Sequence, residues 1–217
     1  MKNFPTATDR TTIVGTTGSG KTIGGMWVLS GQNFDEQPWV NINFKNDEHL
    51  NAIEKAEEIG LDSKLPDKPG IFNLRPEPND IDGMDAWFYR VLEHENIGIF
   101  CDEIFMLGAH CRGFNTCFMQ GRSKHIPMIV CSQRPVLCSP FAFSEATYFM
   151  IFNLIKKADR ERVAGDVPIP VDYRLPPYHS YWYKVGSDKV TAFNPVPSEN
   201  ELLKRIDSKL PNKRRFL

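Results

Sequence analysis

Apolar residues along this chain fall into two rhythms that take turns: short runs that are unbroken or alternate, and longer stretches with three-to-four spacing. Thr11-Thr12-Ile13-Val14 reads as a short buried strand, and Thr22 to Leu29 after it as a helix. Trp39 to Phe44 alternates apolar and polar residues, as a strand does, and Asp47 to Ile59 is helix-like with Gly60 as its stop. A brief strand at Gly70 to Leu74 precedes the proline-punctuated loop Arg75 to Asp80. The spacing then predicts a helix over Asp82 to His94, with Trp87, Val91 and Leu92 on one face. Ile97 to Cys101 is wholly apolar, as at the centre of a parallel sheet. A helix over about Asn115 to Arg122, strands over Ile126 to Cys131 and Thr147 to Asn153, and a charged helix over Lys156 to Ala164 complete the alternation. The pattern specifies an α/β fold, a mainly parallel sheet with helices on both faces.

The last part differs. Tyr178 to Val185 and Lys189 to Phe193 flank Gly186-Ser187-Asp188, a hairpin signal, and Ser198-Glu199-Asn200-Glu201 opens a final helix with a capping-box-like start. Lys209 to Arg215 is basic. No repeat or low-complexity linker divides the 217 residues, which read as a single domain: a core over about 11–164, then hairpin, helix and tail over about 178–217.

One loop brings chemistry into this frame. Gly15-Thr16-Thr17-Gly18-Ser19-Gly20-Lys21-Thr22 fits G-x-x-x-x-G-K-[ST], between a strand and a helix as a phosphate loop requires. Its backbone N–H groups cradle a triphosphate, Lys21 reaches the β- and γ-phosphates, and the Thr22 hydroxyl ligates Mg²⁺. The expected ligands are ATP and Mg²⁺.

The apolar strand at Ile97 to Cys101 runs directly into Asp102-Glu103. Asp102 is expected to hold the metal, directly or through water, and Glu103 to orient and deprotonate the attacking water. The competing role for Asp102 is to cap the next helix. The next apolar strand leads into Ser132-Gln133-Arg134-Pro135, where the Gln133 amide can bond the γ-phosphate or the lytic water.

Charge and cysteine usage narrow the setting. A net charge of −1 gives no global field for nucleic acid, so any such contact needs a local patch or several subunits acting together. The five cysteines show no metal-ligand spacing and read as reduced core thiols in a reducing compartment. No apolar run reaches membrane-spanning length and the N-terminus lacks a signal-peptide core, so the protein is expected in the cytosol, or in a particle assembled there, and not secreted.

The succession of phosphate loop, Asp102-Glu103 strand, Gly121-Arg122-Ser123-Lys124, apolar strand and Ser132-Gln133-Arg134-Pro135 resembles the FtsK–HerA superfamily of DNA-pumping ATPases. Lys45 also matches a lysine after the family's second strand, although Asn43 stands where the family usually has an acidic residue. The likeness covers about 11–164, and the short chain is most similar to the genome-packaging ATPases of tailless, internal-membrane-type viruses and phages. That resemblance implies a RecA-like P-loop NTPase fold and a homo-oligomeric ring, hexamer or pentamer, that moves double-stranded DNA into a preformed capsid at its vertex proteins. It places the protein at the virion's packaging vertex or in the host cytoplasm. It also implies an arginine acting on a neighbour's site, with Arg122 the first choice and Arg160 and Arg162 as rivals.

DNA contacts are expected from His110-Cys111-Arg112 and Lys156-Lys157, with the basic tail as a further candidate. Tyr178 to Tyr183 is either a stacking surface for bases or a strand of the core. The alternatives are a filamentous-phage-type assembly or secretion ATPase, which usually carries a transmembrane helix, and a nucleotide-dependent switch or small-molecule kinase, which has no need of a water-activating glutamate.

Overall fold

The computed structural model describes residues 4–211; Lys213-Arg214-Arg215 of the basic tail lies outside them. In chain order the elements are β1 (Arg10–Val14), α1 (Lys21–Ser30), β2 (Pro38–Asn43), α2 (Glu48–Asn51), β3 (Glu57–Ile59), β4 (Gly70–Leu74), α3 (Ile81–His94) and β5 (Gly98–Asp102). They continue with α4 (Arg112–Gln120), β6 (Met128–Ser132), α5 (Phe141–Ser144), β7 (Tyr148–Ile151), α6 (Lys157–Ala164), β8 (Ser180–Lys184), β9 (Val190–Phe193) and α7 (Glu199–Lys209). Short 3-10 turns follow β5 (Ile104–Leu107) and β6 (Pro135–Leu137).

All the strands join one sheet in the order β3-β4-β2-β5-β6-β1-β7-β8-β9. The strands up to β7 are parallel, and β8 and β9 extend the sheet as the expected antiparallel hairpin. Successive residues of a strand face opposite sides of the sheet, and the packing follows that rule. Along β5, Ile99 and Cys101 join Trp87, Phe88 and Phe114 of α3 and α4 on one face. Phe100 between them joins Met26 and Leu29 of α1 with Leu202 and Ile206 of α7 on the other. All five cysteines are free thiols buried in the core, as the composition suggested. Burial pushes Cys111 and Cys138 up to about 12.

One expectation changes. Residues 47–59 do not form one helix: only α2 is helical, and Glu57–Ile59 becomes β3, paired in parallel with Phe72 to Leu74. The open edge of β4 offers hydrogen bonds that outweigh a modest local helical preference. Leu50 and Ile53 are still buried, which is why the apolar spacing looked helical. In β2 the alternation does not mark a solvent face, since the whole strand is buried. Asn41 bonds Asn73, while Asn43 accepts the Asp47 N–H at 2.7 Å and donates to Asn51. Asn43 is thereby committed to building the turn after β2.

Candidate active site

In a parallel α/β sheet, ligands gather beyond the carboxyl ends of the strands. Here β1, β5 and β6 end together and deliver the phosphate loop, Asp102-Glu103 and Gln133 to one place. The loop hangs between the ends of β6 and β7, the Gly15 N–H donating to Ser132 O (3.2 Å) and the Thr16 N–H to Asn153 O (3.1 Å). Gly20 takes φ 94°, a conformation costly for residues with a side chain, and provides no side-chain cap to α1. The first N–H groups of α1 are therefore available to an anion. Ser19 Oγ is buried without a hydrogen-bond partner, an orphan that a phosphate oxygen would satisfy. These features fit a nucleoside triphosphate.

Helix α1 reaches the carboxylates because it lies close on the sheet. A Cβ on Gly25 would stand 2.5 Å from the Phe100 ring and 3.0 Å from Cys131 Sγ. That close approach lets the Thr22 hydroxyl donate to Asp102 Oδ2 at 3.1 Å. Burial first, then the charge of Glu103, raises the Asp102 carboxyl to about 6. Thr22 and Asp102 present hard oxygen donors, few in number, as Mg²⁺ takes when phosphates and water complete its shell. This pair fits the metal. Asp102 does not cap the following turn; its Oδ1 accepts the adjacent Glu103 N–H.

Glu103 sits in the left-handed region (φ 58°, ψ 53°), costly for a residue with a side chain and most often found at functional sites. The conformation points its carboxylate back over the phosphate loop. Lys21 Nζ lies 3.4 Å and Lys45 Nζ 2.9 Å from Oε1, while the Gln133 N–H donates to Oε2 at 3.3 Å. The Gln133 side chain accepts a hydrogen bond from the Thr17 hydroxyl. The arrangement brings Lys21, Thr22, Asp102, Glu103, Gln133 and Lys45 together. Chemically it can bind a triphosphate, accept a proton beside it and register the state of the γ-phosphate through Gln133.

Other predicted residues lie elsewhere. Arg122 is exposed in the turn that enters β6, beside Arg10 at the amino-terminal ends of the strands. The length of β1, about 13 Å, separates it from its own phosphate loop. Arg160 bonds Asp172 at 2.9 Å, and Arg162 bonds Asp166 at 2.6 Å and lies over the Phe143 ring. Arg134 pairs with the buried Asp159 at 3.2 Å. His110, Arg112, Lys156 and Lys157 are exposed, in segments that follow the carboxyl ends of β5 and β7, the end of the sheet that carries the phosphate loop. Trp182 and Tyr183 of β8 are buried, with Trp182 against Trp27, Tyr148 and Phe193, so this part of the aromatic run is core.

Sequence reading missed Asn153, which anchors the phosphate loop through its carbonyl and was signalled only as a polar residue ending an apolar strand. Tyr178, the first residue of the aromatic run read as a DNA-base stacking surface or core, instead packs its ring close to Gly20 of the phosphate loop.

No protein-family model matches the chain. Among solved structures, the genome packaging NTPase B204 of Sulfolobus turreted icosahedral virus 2 in complex with ATPγS superposes with a TM-score of 0.67 at 15% identity, over 88% of this chain and 99% of that one. EssC (ATPases 2 and 3) of Geobacillus thermodenitrificans gives 0.63 at 16% identity, over 93% of this chain and 43% of that one. These likenesses show a shared RecA-like P-loop NTPase fold. The sequence itself goes further: the DNA packaging ATPase P9 of Enterobacteria phage PRD1 is 34% identical over 216 residues, spanning 94% of each chain. With that identity over nearly the whole of both chains, this protein belongs to the family of the PRD1 DNA packaging ATPase.

Proposed function

We propose that this viral genome packaging ATPase pumps double-stranded DNA into a preformed capsid as a homo-oligomeric ring, hexamer or pentamer, docked on capsid vertex proteins. The observation that carries the catalytic part is Glu103, a buried carboxylate held within 3.4 Å of the phosphate-loop lysine. Lys21 moves onto the β- and γ-phosphates when ATP enters, which releases one of the two cations on Glu103. Glu103 then accepts the proton of the attacking water. Lys21 and an arginine from the neighbouring subunit, Arg122, stabilise charge on the transferring phosphoryl group. Gln133 follows the γ-phosphate through its contact with Thr17. Thr22 and Asp102 hold Mg²⁺, which when bound neutralises phosphate charge.

Arg112, Lys156 and Lys157 are the DNA-facing candidates; repeated around a ring, a few charges suffice to grip the backbone of a near-neutral protein. The site of action that goes with this reading is the packaging vertex of the virion or the host cytoplasm. Among the described residues no helix is long and apolar enough to cross a membrane. The test is turnover of the assembled protein with plasmid DNA, with single strands and with none, over a salt series. Duplex DNA of any sequence is expected to stimulate turnover, and rising salt to weaken the stimulation steeply as counterion release predicts. Equal rates in all three arms would reject the DNA pump and favour the secretion alternative.

A further inference from the structure

Beside the phosphate loop, on its β7 side, a cavity of about 670 Å³ opens. Its inner wall is Thr16 to Ser19, and its outer wall is the segment between α6 and β8 that carries Tyr173, Arg174 and Tyr178. The volume lies in the range of small-molecule sites. Asn153 joins the two walls: its carbonyl accepts the Thr16 N–H, while its side-chain amide donates to Leu175 O and accepts the Leu175 N–H, both at 2.8 Å. Arg160 fixes the far end through Asp172.

Tyr178 is the unexplained part of this wall. Its backbone is in the left-handed region at φ 61°, which a tyrosine adopts only where its surroundings impose it. Its ring passes 3.2 Å from where a Cβ on Gly20 would be, yet the residue is 59% exposed. An aromatic ring is thus held against the phosphate loop with most of its surface open rather than buried in the core. The cavity's one carboxylate, Asp172, is already paired with Arg160. Tyr173, Arg174 and His179 also line the cavity, and Tyr178 sets a flat aromatic surface directly beside the phosphate-binding loop.

We propose that this cavity is the nucleoside subsite of the bound nucleotide and that Tyr178 is the platform on which its base stacks. The inference rests on the nucleotide reading of the phosphate loop and names the residues that take the rest of the molecule. The loop holds the phosphates, so the ribose and base attached to them lie in the adjoining space, and the strain at Tyr178 is accounted for by presenting its ring there.

The experiment compares binding of a non-hydrolysable ATP analogue and of inorganic tripolyphosphate, both with Mg²⁺, to the wild-type chain and to Tyr178→Ala and Tyr178→Phe. Calorimetry supplies the affinities, and circular dichroism confirms the fold. Tyr178→Ala is expected to weaken the ATP analogue roughly five- to hundredfold, the range for loss of one base-stacking ring. Tripolyphosphate binding should stay within twofold of wild type, and Tyr178→Phe should retain the analogue. Equal loss of both ligands would overturn the proposal and make Tyr178 a support of the phosphate loop. Unchanged analogue binding, with or without a loss of single-stranded DNA binding, would overturn it as well. If the wild-type chain bound neither ligand, the nucleotide reading itself would fall, an outcome distinct from either of these.

Discussion

Lys45 Nζ stands 2.9 Å from Glu103 Oε1, closer than the phosphate-loop lysine, and joins the turn after β2 to the end of β5. Glu103 is buried, whereas the Lys45 side chain is 46% exposed. One end of this contact is therefore at the catalytic carboxylate of the proposed mechanism, and the other is within reach of solvent and of any passing phosphate. Lys45 also lies over the Phe105 ring, 5.6 Å from its centre, which fixes its direction.

The Lys45 ammonium occupies Glu103 Oε1, an oxygen that the proton of the attacking water would otherwise reach. Lys45→Met is accordingly expected to raise DNA-independent turnover severalfold, a charge-assisted hydrogen bond being worth about 1.5–3 kcal/mol before solvent screening at this half-exposed site reduces it. Affinity for ATP should stay within twofold, and the stimulation by DNA should shrink. Steady-state rates with and without duplex DNA measure both. Slower turnover at unchanged affinity would show that Lys45 orients Glu103 instead of restraining it.

Lys21 and Glu103 should separate binding from chemistry. Lys21→Ala removes the cation that meets the γ-phosphate, and at least about a hundredfold loss of turnover is expected. Glu103→Gln keeps the shape of the site but cannot take the proton, so it should bind ATP with near wild-type affinity and lose about 10²–10⁴ in rate. Single-turnover hydrolysis and equilibrium binding on the same preparations distinguish the two. Normal hydrolysis by Glu103→Gln would transfer the base role to another group.

Much of this site was legible in the sequence, because phosphate chemistry imposes fixed residue types at fixed spacing from Gly15 to Thr22. The same holds for β5, whose unbroken apolar run announced a central strand ending at Asp102. What escaped depends on partners far away in the chain. The pairing of Glu57–Ile59 with β4 decides its structure against local helical spacing. The left-handed backbones of Glu103 and Tyr178 carry no sequence mark such as glycine, since the surrounding packing imposes them.

Asp102 yields a prediction for the metal-free protein. Its carboxyl is raised from 3.8 to about 6 by burial and by Glu103. A raised carboxyl opposes folding once ionised: the cost is absent below the unfolded value, grows through the window between the two, and is complete above the folded one. It amounts to something on the order of 3 kcal/mol at pH 8. Asp102→Asn should therefore melt several degrees higher than wild type at pH 8 without Mg²⁺, and no higher at pH 4. Adding Mg²⁺ with a nucleotide analogue should raise the wild-type midpoint more than the variant's. Thermal melts at the two pH values decide this, and a variant less stable at pH 8 would refute it.

Arg122 is tested by mixing. It lies at the opposite end of the strands from its own phosphate loop, so a catalytic role requires it to act on the next subunit. In a ring every interface is head-to-tail, pairing the phosphate loop of one subunit with the opposite surface of its neighbour. Arg122→Ala subunits keep an intact phosphate loop, and Lys21→Ala subunits keep an intact arginine; each is expected to be inactive alone. In an equal mixture, about a quarter of such head-to-tail interfaces combine the two intact halves, which sets the ceiling for recovered turnover. Turnover plotted against mixing ratio should peak near equal amounts and vanish at both ends. Co-assembly without recovery at any ratio would remove Arg122 from this role. The same mixing would then be applied to Arg160 and Arg162, although both are already held by carboxylates of their own chain.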